Sequence, residues 1–298
     1  MTAIEITTPV PPPESRFRSV GHFIRTQPLG AIALVVIVAM FTAGLFAEIV
    51  APYDPLDVDF AAMLSPPSRE HWLGTDAFGR DVLSRIIYGA RTALAVGFLS
   101  SIMGSSIGAI LGVVSAYAGG RIDMLISRIM DVLLAFPIIV LALAVVAVLG
   151  KFPVGGLDIN LVFAIAIPII PKVARVVRAA ALGVRAMPYV DAARAAGYSH
   201  TRIVFRHMIP NVVAPFLIML TAFIAQAILL EASLSFLGLG VTEPTPAWGL
   251  MLSGSSEQFY REAPWMIIFP GLAISLAVFA FNLFGDALRD TLDPRFKI

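Results

Sequence analysis

The sequence predicts an all-α membrane protein with six transmembrane helices, and three observations carry that expectation. Of the 298 residues, 58% are hydrophobic and only 14% charged, where a soluble domain has roughly a quarter of its residues charged. Apolar runs long enough to cross about 30 Å of hydrocarbon, at about 1.5 Å per residue, recur six times. The basic residues gather on one side of those runs, which gives the chain an orientation. Cysteine is absent, so disulfides, thiolate zinc sites and cysteine nucleophiles are excluded.

Residues 1–29 are polar and proline-rich, with Pro11, Pro12 and Pro13 in a row, and read as a disordered cytoplasmic tail. A cleaved signal peptide would have an earlier basic region and a shorter apolar core, so residues 30–50 read as an uncleaved first transmembrane helix. Residues 51–91 form an outer loop. Within it, the stretch Gly79–Arg91 alternates cations with apolar residues at helical spacing. It reads as an amphipathic helix on the outer interface with its arginines snorkelling, or as a plainer charged surface helix. Residues 92–288 form a core of five further spans: Thr92–Ala118, Met124–Leu149, Leu157–Val184, Val212–Gly240 and Pro264–Leu288. Residues 289–298 are the cytoplasmic C-terminus. Pro137 predicts a kink in the third span. The fourth span carries Pro168 and Pro171, then Lys172, Arg175 and Arg178 on one helical face, and reads as a helix that leaves the membrane near Lys172.

Six spans place both termini on one side. With that side in the cytoplasm, 15 of the 21 Lys and Arg residues lie inside. The positive-inside rule therefore selects a multi-pass protein with both termini cytoplasmic.

The segment from Lys172 to Asn211 holds seven cations and one acid, Asp191, and then faces the cytoplasm. Inside it, Pro188 starts a short helix and Gly197 ends it. Ala192, Ala193, Ala195 and Ala196 give that helix a nearly bare surface. Ser199 caps a second helix, on which Arg202 and Arg206 share a face while Ile203, Phe205 and Ile209 are apolar. Pro210 is expected to break the run before the fifth span. From the residues alone, a docking surface and a plain basic connector stand equally open.

The segment resembles the EAA loop of permease subunits in bacterial ABC importers: a Glu-Ala-Ala start, a glycine four residues after the second alanine, and a later Ile/Leu-Pro. Here the pattern reads Asp191-Ala192-Ala193, Gly197 and Ile209-Pro210, with aspartate in place of glutamate. Four more stretches are similar to the dipeptide, oligopeptide and nickel importer group: Ala51–Pro55, His71–Leu94, Glu231–Gly240 with Pro244, Pro246 and Trp248-Gly249, and Phe281–Lys297. The extra first span with this C-terminus resembles the "C"-type permease of such systems.

The resemblance implies a type I importer permease fold in the bacterial inner membrane. The cytoplasmic loop 185–211 would hold a coupling helix, with Asp191, Ala192, Ala193, Arg194, Gly197, Ser199, Arg202, Ile203, Arg206 and Pro210 contacting an ATP-binding subunit. It further implies a homologous second permease, one or two ATP-binding subunits carrying ATP and Mg, and an extracytoplasmic binding protein that delivers a peptide or similar small solute. The chain itself is then expected to bind no cofactor or metal and to catalyse no bond chemistry. Glu231 and Trp248 are candidates for an outer gate or a binding-protein contact.

Other motifs carry less. No GxxxxGK[ST] phosphate loop occurs, so nucleotide binding falls to another subunit. Gly104, Gly108 and Gly112 form a small-residue face for close helix packing, within the subunit or with the partner permease. His200 and His207 share a helical face without a third ligand nearby. Asp131 is expected to pair with Arg128 three residues away. The serines of Leu252–Phe259 have no histidine base close in sequence. A secondary transporter driven by an ion gradient is the alternative class, but the middle of these spans offers few ionisable residues.

Overall fold

The computed structural model describes residues 24–154 and 157–292. The expected disordered tail up to residue 23 and the last six residues lie outside the described residues. Helix α1 (Pro28–Leu45) starts with proline in its first turn, where the missing N–H costs no hydrogen bond. A short turn, Ala47–Val50, extends it. Helix α2 (Val82–Ala118) has 37 residues and is about 55 Å long. Asp81 caps its N-terminus, accepting the Ser84 N–H at 2.8 Å. Residues 82–91 are therefore the first part of α2, led into by Gly79, Arg80 and the cap Asp81, not a separate helix lying along an interface.

After Gly119, which takes φ +66°, come α3 (Gly120–Leu134) and α4 (Ile138–Leu149), bent by 95° at the break between them. The expected kink at Pro137 is thus a full break. Pro137 stands in an extended conformation as the N-cap of α4, and it bars Phe136 from the helical region. Alone, α4 measures about 18 Å, too short to cross a bilayer. A two-residue hairpin pairs Pro153–Val154 with Leu157–Asp158. Helix α5 (Ile159–Arg185) runs unbroken through Pro168 and Pro171. The short helices α6 (Pro188–Ala195) and α7 (His200–Ile203) precede α8 (Ile209–Phe236), and α9 (Trp265–Leu292) closes the bundle. Among the described residues, five helices are long and apolar enough to cross a membrane, or six spans if the bent α3–α4 pair counts as one.

Pro210 does not break the chain as expected. A π-helical turn, Val204–Met208, joins α7 to α8, so residues 200–236 run as one helix. The wider turn accommodates the proline, and the Asn211 side chain donates to His207 O at 2.8 Å. Such π turns are rare, occur mostly as single-turn bulges inside α-helices, and are frequent at functional sites.

Helices α2 and α5 form the most intimate pair. A Cβ on Gly104, Gly108 or Gly112 would stand 2.6–2.7 Å from the carbonyl oxygens of Ala166, Ile170 and Ala174 respectively. The three glycines therefore set backbone against backbone inside this subunit, where packing is the main force between helices. Two apolar clusters flank α2 and α8. One joins Val113, Ile165, Ile169, Val173 and Leu234, among others. The second brings Ala33 and Ile37 of α1 against Ile228 of α8 and Ala277 and Phe281 of α9. Many large apolar side chains remain exposed, such as Ile32, Val35, Ile110 and Phe279, consistent with lipid or a partner as their surroundings.

The ends of the bundle are distinct. Gln27 Nε2 lies 3.3 Å from Asp290 Oδ2, which sets the start of α1 beside the end of α9. The 186–211 insert shares that end. The opposite end carries residues 51–81 and 237–264.

Candidate functional site

At the insert end, α6 starts with Pro188 and stops at Gly197, whose φ of +75° suits glycine alone without strain. The Tyr198 N–H reaches back to Ala193 O at 3.1 Å to complete the cap. Ser199 then accepts the Arg202 N–H at 3.3 Å and starts α7. Val190, Ala193 and Ile203 are buried together against Tyr117 of α2 and Val184 of α5. The opposite surface is open: Asp191, Ala192, Arg194, Ala195, Ala196, Ser199, Arg202 and Arg206 are all exposed. Asp191 faces solvent and pairs with Arg194 at 2.9 Å. The expected coupling residues thus divide. Ala193 and Ile203 anchor the insert, Gly197 and Pro210 shape it, and the remainder present a surface. Phe205, expected as an apolar contact, is 67% exposed and belongs to that surface.

Beneath the insert, two ion pairs fasten α3 to α5. Arg178 grips Asp123 through Nε and Nη2, both at 2.6 Å, and Ser115 also bonds Asp123. Arg175 meets Asp131 at 2.6 Å. The expected Asp131–Arg128 pair is therefore replaced by one across helices. The periodicity of α3 turns Asp131 toward α5, where a cation already stands. Arg185 donates to Ala116 O at 2.7 Å and satisfies an otherwise open carbonyl at the end of α2.

At the opposite end lies a buried ionic cluster. Asp76 accepts the Phe78 and Arg80 N–H groups at 2.8 and 3.0 Å and Arg80 Nε at 2.7 Å. Arg80 also reaches Glu243 at 2.9 Å. Arg85 is 1% exposed and donates to Pro55 O at 3.1 Å, with Glu243 and Asp76 at 3.6 and 3.8 Å. Burial pulls the Arg80 pKa down, but Glu243 and Asp76 outweigh it and hold the group above its ordinary value. The arginines of Gly79–Arg91 therefore do not snorkel. Arg80 and Arg85 are neutralised inside the fold, and Arg91 caps the end of α1, donating to Gly44 O and Leu45 O at 3.1 and 3.2 Å. His71 joins Asp81 at 3.0 Å. A cavity of about 260 Å3 opens beside the cluster.

Glu231 and Trp248 sit near this end, and both are buried. Trp248 donates to Ile86 O at 2.9 Å, and its ring fills the space over Gly89. Glu231 accepts the Ser235 hydroxyl at 2.7 Å, and its second oxygen has no hydrogen-bond partner among the described residues. Both side chains are thus enclosed by this subunit's own helices rather than set on its outer surface. Asp76 and Glu243 were not among the expected site residues. The signal for Asp76 was present, because an aspartate three residues before a glycine, Gly79, and four before an arginine suits a turn with its own counter-ion. Glu243, 163 residues from Arg80, left no such local sign. No group of three or more potential metal ligands occurs among the described residues.

The helical spans, the packed α2–α5 pair and the surface insert describe an integral-membrane transport subunit. The family model for binding-protein-dependent transport system inner membrane components matches residues 104–298, and the N-terminal TM domain of oligopeptide transport permease C matches residues 15–67. The chain belongs to this family of ABC importer permeases, as a multi-pass inner-membrane subunit. It is 42% identical to the dipeptide transport system permease protein DppC of Alkalihalophilus pseudofirmus, over 96% of this chain and 94% of that one. It is 43% identical to the glutathione transport system permease protein GsiD of Pectobacterium atrosepticum, over 93% and 90% of the two chains. A solved structure of the MetNI methionine ABC transporter superposes with a TM-score of 0.51 at 18% identity, covering 69% of this chain and 97% of that one. That likeness supports the fold.

Proposed function

We propose that this chain forms half of the translocation pathway of an ATP-driven importer for dipeptides, oligopeptides or related small solutes. Its pathway lies between it and a homologous second permease. The insert end is cytoplasmic and carries both termini, and the opposite end faces a solute-binding protein. The observation that carries this reading is the two-sided insert, one face packed on α2 and α5 and the other exposed and nearly bare at Ala192, Ala195 and Ala196. A small-residue face lets a partner approach the backbone closely, and Arg194, Arg202 and Arg206 around it suit an acidic rim.

ATP and Mg then belong to the ATP-binding subunits, and this chain is non-catalytic. Coupling is linkage: the insert must dock with different free energies in the open and closed states of the nucleotide-binding pair, or ATP could not shift the spans. The test is co-purification with the ATP-binding subunit. Asp191→Ala, which frees Arg194 from its ion pair, is expected to lower recovery of that subunit while the permease stays in the membrane. Equal recovery would remove Asp191 from the interface. Solute uptake by liposomes holding this chain and no ATPase would overturn the whole reading in favour of an ion-gradient transporter.

A further inference from the structure

The insert is jointed. Gly197 stands between α6 and α7 with φ +75° and nothing within 4 Å of its notional Cβ, so nothing packs on the corner residue itself. The chain links α6 to α5 and α7 to α8. A push on α6 could fold the insert at Gly197 instead of moving a span, unless something outside the insert holds both halves.

Tyr117, in the last turn of α2, meets both. Its hydroxyl lies 2.6 Å from His200 Nδ1 on α7, and the two rings meet edge-on with centroids 5.7 Å apart. The Arg194 guanidinium of α6 sits 5.8 Å from the centre of the same tyrosine ring. The ring also packs on the buried cluster of Val190 and Ala193 from α6 and Ile203 from α7. One side chain thus spans the corner. Behind it, Arg185 holds Ala116 O, and the glycine face locks α2 to α5. A load reaching Tyr117 therefore falls on α2, about 55 Å long and packed against α5, and the far end of α2 carries Arg85 and the buried ionic cluster.

We propose that Tyr117, through His200, is the positioning residue that makes the jointed insert rigid, so that motion of a docked partner is delivered to α2 and α5. This inference rests on the reading of the insert as the docking site of an ATP-binding subunit. Tyr117 need not touch that subunit; it sets how the docked surface is held.

The experiment uses the full importer reconstituted with its ATP-binding subunits and binding protein, and measures solute taken up per ATP hydrolysed. Tyr117→Phe removes only the hydroxyl, and one hydrogen bond of ordinary net strength corresponds to a loss of about two- to tenfold in that ratio. Tyr117→Ala, which also removes the ring, is expected to lose more. His200→Gln, which keeps a hydrogen-bonding group, should retain most of the ratio, and His200→Leu should match Tyr117→Phe. Recovery of the ATP-binding subunit and thermal stability are expected to stay at the unmodified level in Tyr117→Phe. An unchanged uptake-per-ATP ratio in both Tyr117 variants would overturn the proposal. So would a fall in the ratio that merely tracks lost recovery of the ATP-binding subunit, which would make Tyr117 a docking or folding residue. Absence of ATP-dependent uptake by the unmodified complex is a separate result and would refute the underlying reading instead.

Discussion

Gly108→Ala is the most direct test of the backbone-to-backbone contact between α2 and α5. The added methyl would stand 2.7 Å from Ile170 O, 2.9 Å from Val173 Cβ and 3.1 Å from Ala174 N. Ordinary contact begins at 3.4 Å, so the helices must separate by about 0.7 Å at this point. The oxygen and nitrogen are main-chain atoms and cannot rotate away. Gly104 and Gly112 touch the same helix on either side, so the displacement spreads along the whole interface. Overpacking of this kind costs about 1–3 kcal/mol, a factor of roughly 5–150 in the folding equilibrium.

Alanine also gains up to about 1 kcal/mol of helix propensity over glycine, which would partly hide the clash. Gly183→Ala is the control, because Gly183 lies within α5 with nothing inside 4 Å. Comparing the two variants cancels the propensity they share and leaves the clash. Thermal unfolding of the detergent-solubilised permease, followed by the monodisperse fraction on size exclusion, should place Gly108→Ala below the native protein and Gly183→Ala at or above it. Equal unfolding temperatures for the two variants would refute the close contact.

Three further expectations follow from the same structure. Trp248→Phe keeps most of the ring over Gly89 but loses the indole N–H bond to Ile86 O, a loss of about 0.5–1.5 kcal/mol readable in the same unfolding assay. Asp123→Ala and Arg178→Ala should each destabilise the α3–α5 contact, while the double variant loses less than the two together. Both side chains are partly exposed, so the coupling in that double-mutant cycle should be only about 1 kcal/mol. Glu231→Gln keeps the side-chain shape while removing any need to bury charge beside an unpartnered oxygen. It should be neutral or stabilising, and retained uptake would show that Glu231 acts through packing rather than as an ionised gate.

The spans were legible in the sequence because length and apolarity in a run are local properties, and the lipid requirement acts on each run separately. The insert was legible for a similar reason: Pro188, Gly197 and Ser199 are start and stop signals that act within a turn. What the sequence hid was tertiary. Arg80 and Arg85 read as surface cations because Glu243, which with Asp76 neutralises them, lies far along the chain. Asp131 had a cation three residues away, yet the helix face turned it toward Arg175. Proline was ambiguous by itself. Pro137 ends a helix and Pro210 does not, and the difference lies in the π turn that precedes Pro210, which has no signature in composition. The small-residue face of α2 was visible, but only the structure shows that α5, and not another subunit, covers it.

The way α1 is held bears on how the protein is made. Its neighbours are α2 and α9, with Arg91 closing one end and Asp290 meeting Gln27 at the other. Among the described spans, α9 is the last to be synthesised. The first helix to enter the bilayer therefore waits, with one flank open to lipid, until the ribosome has delivered residues 265–292. At about 5–20 residues per second, that interval is on the order of ten seconds or more, and the bundle can close around its first span only when the last arrives.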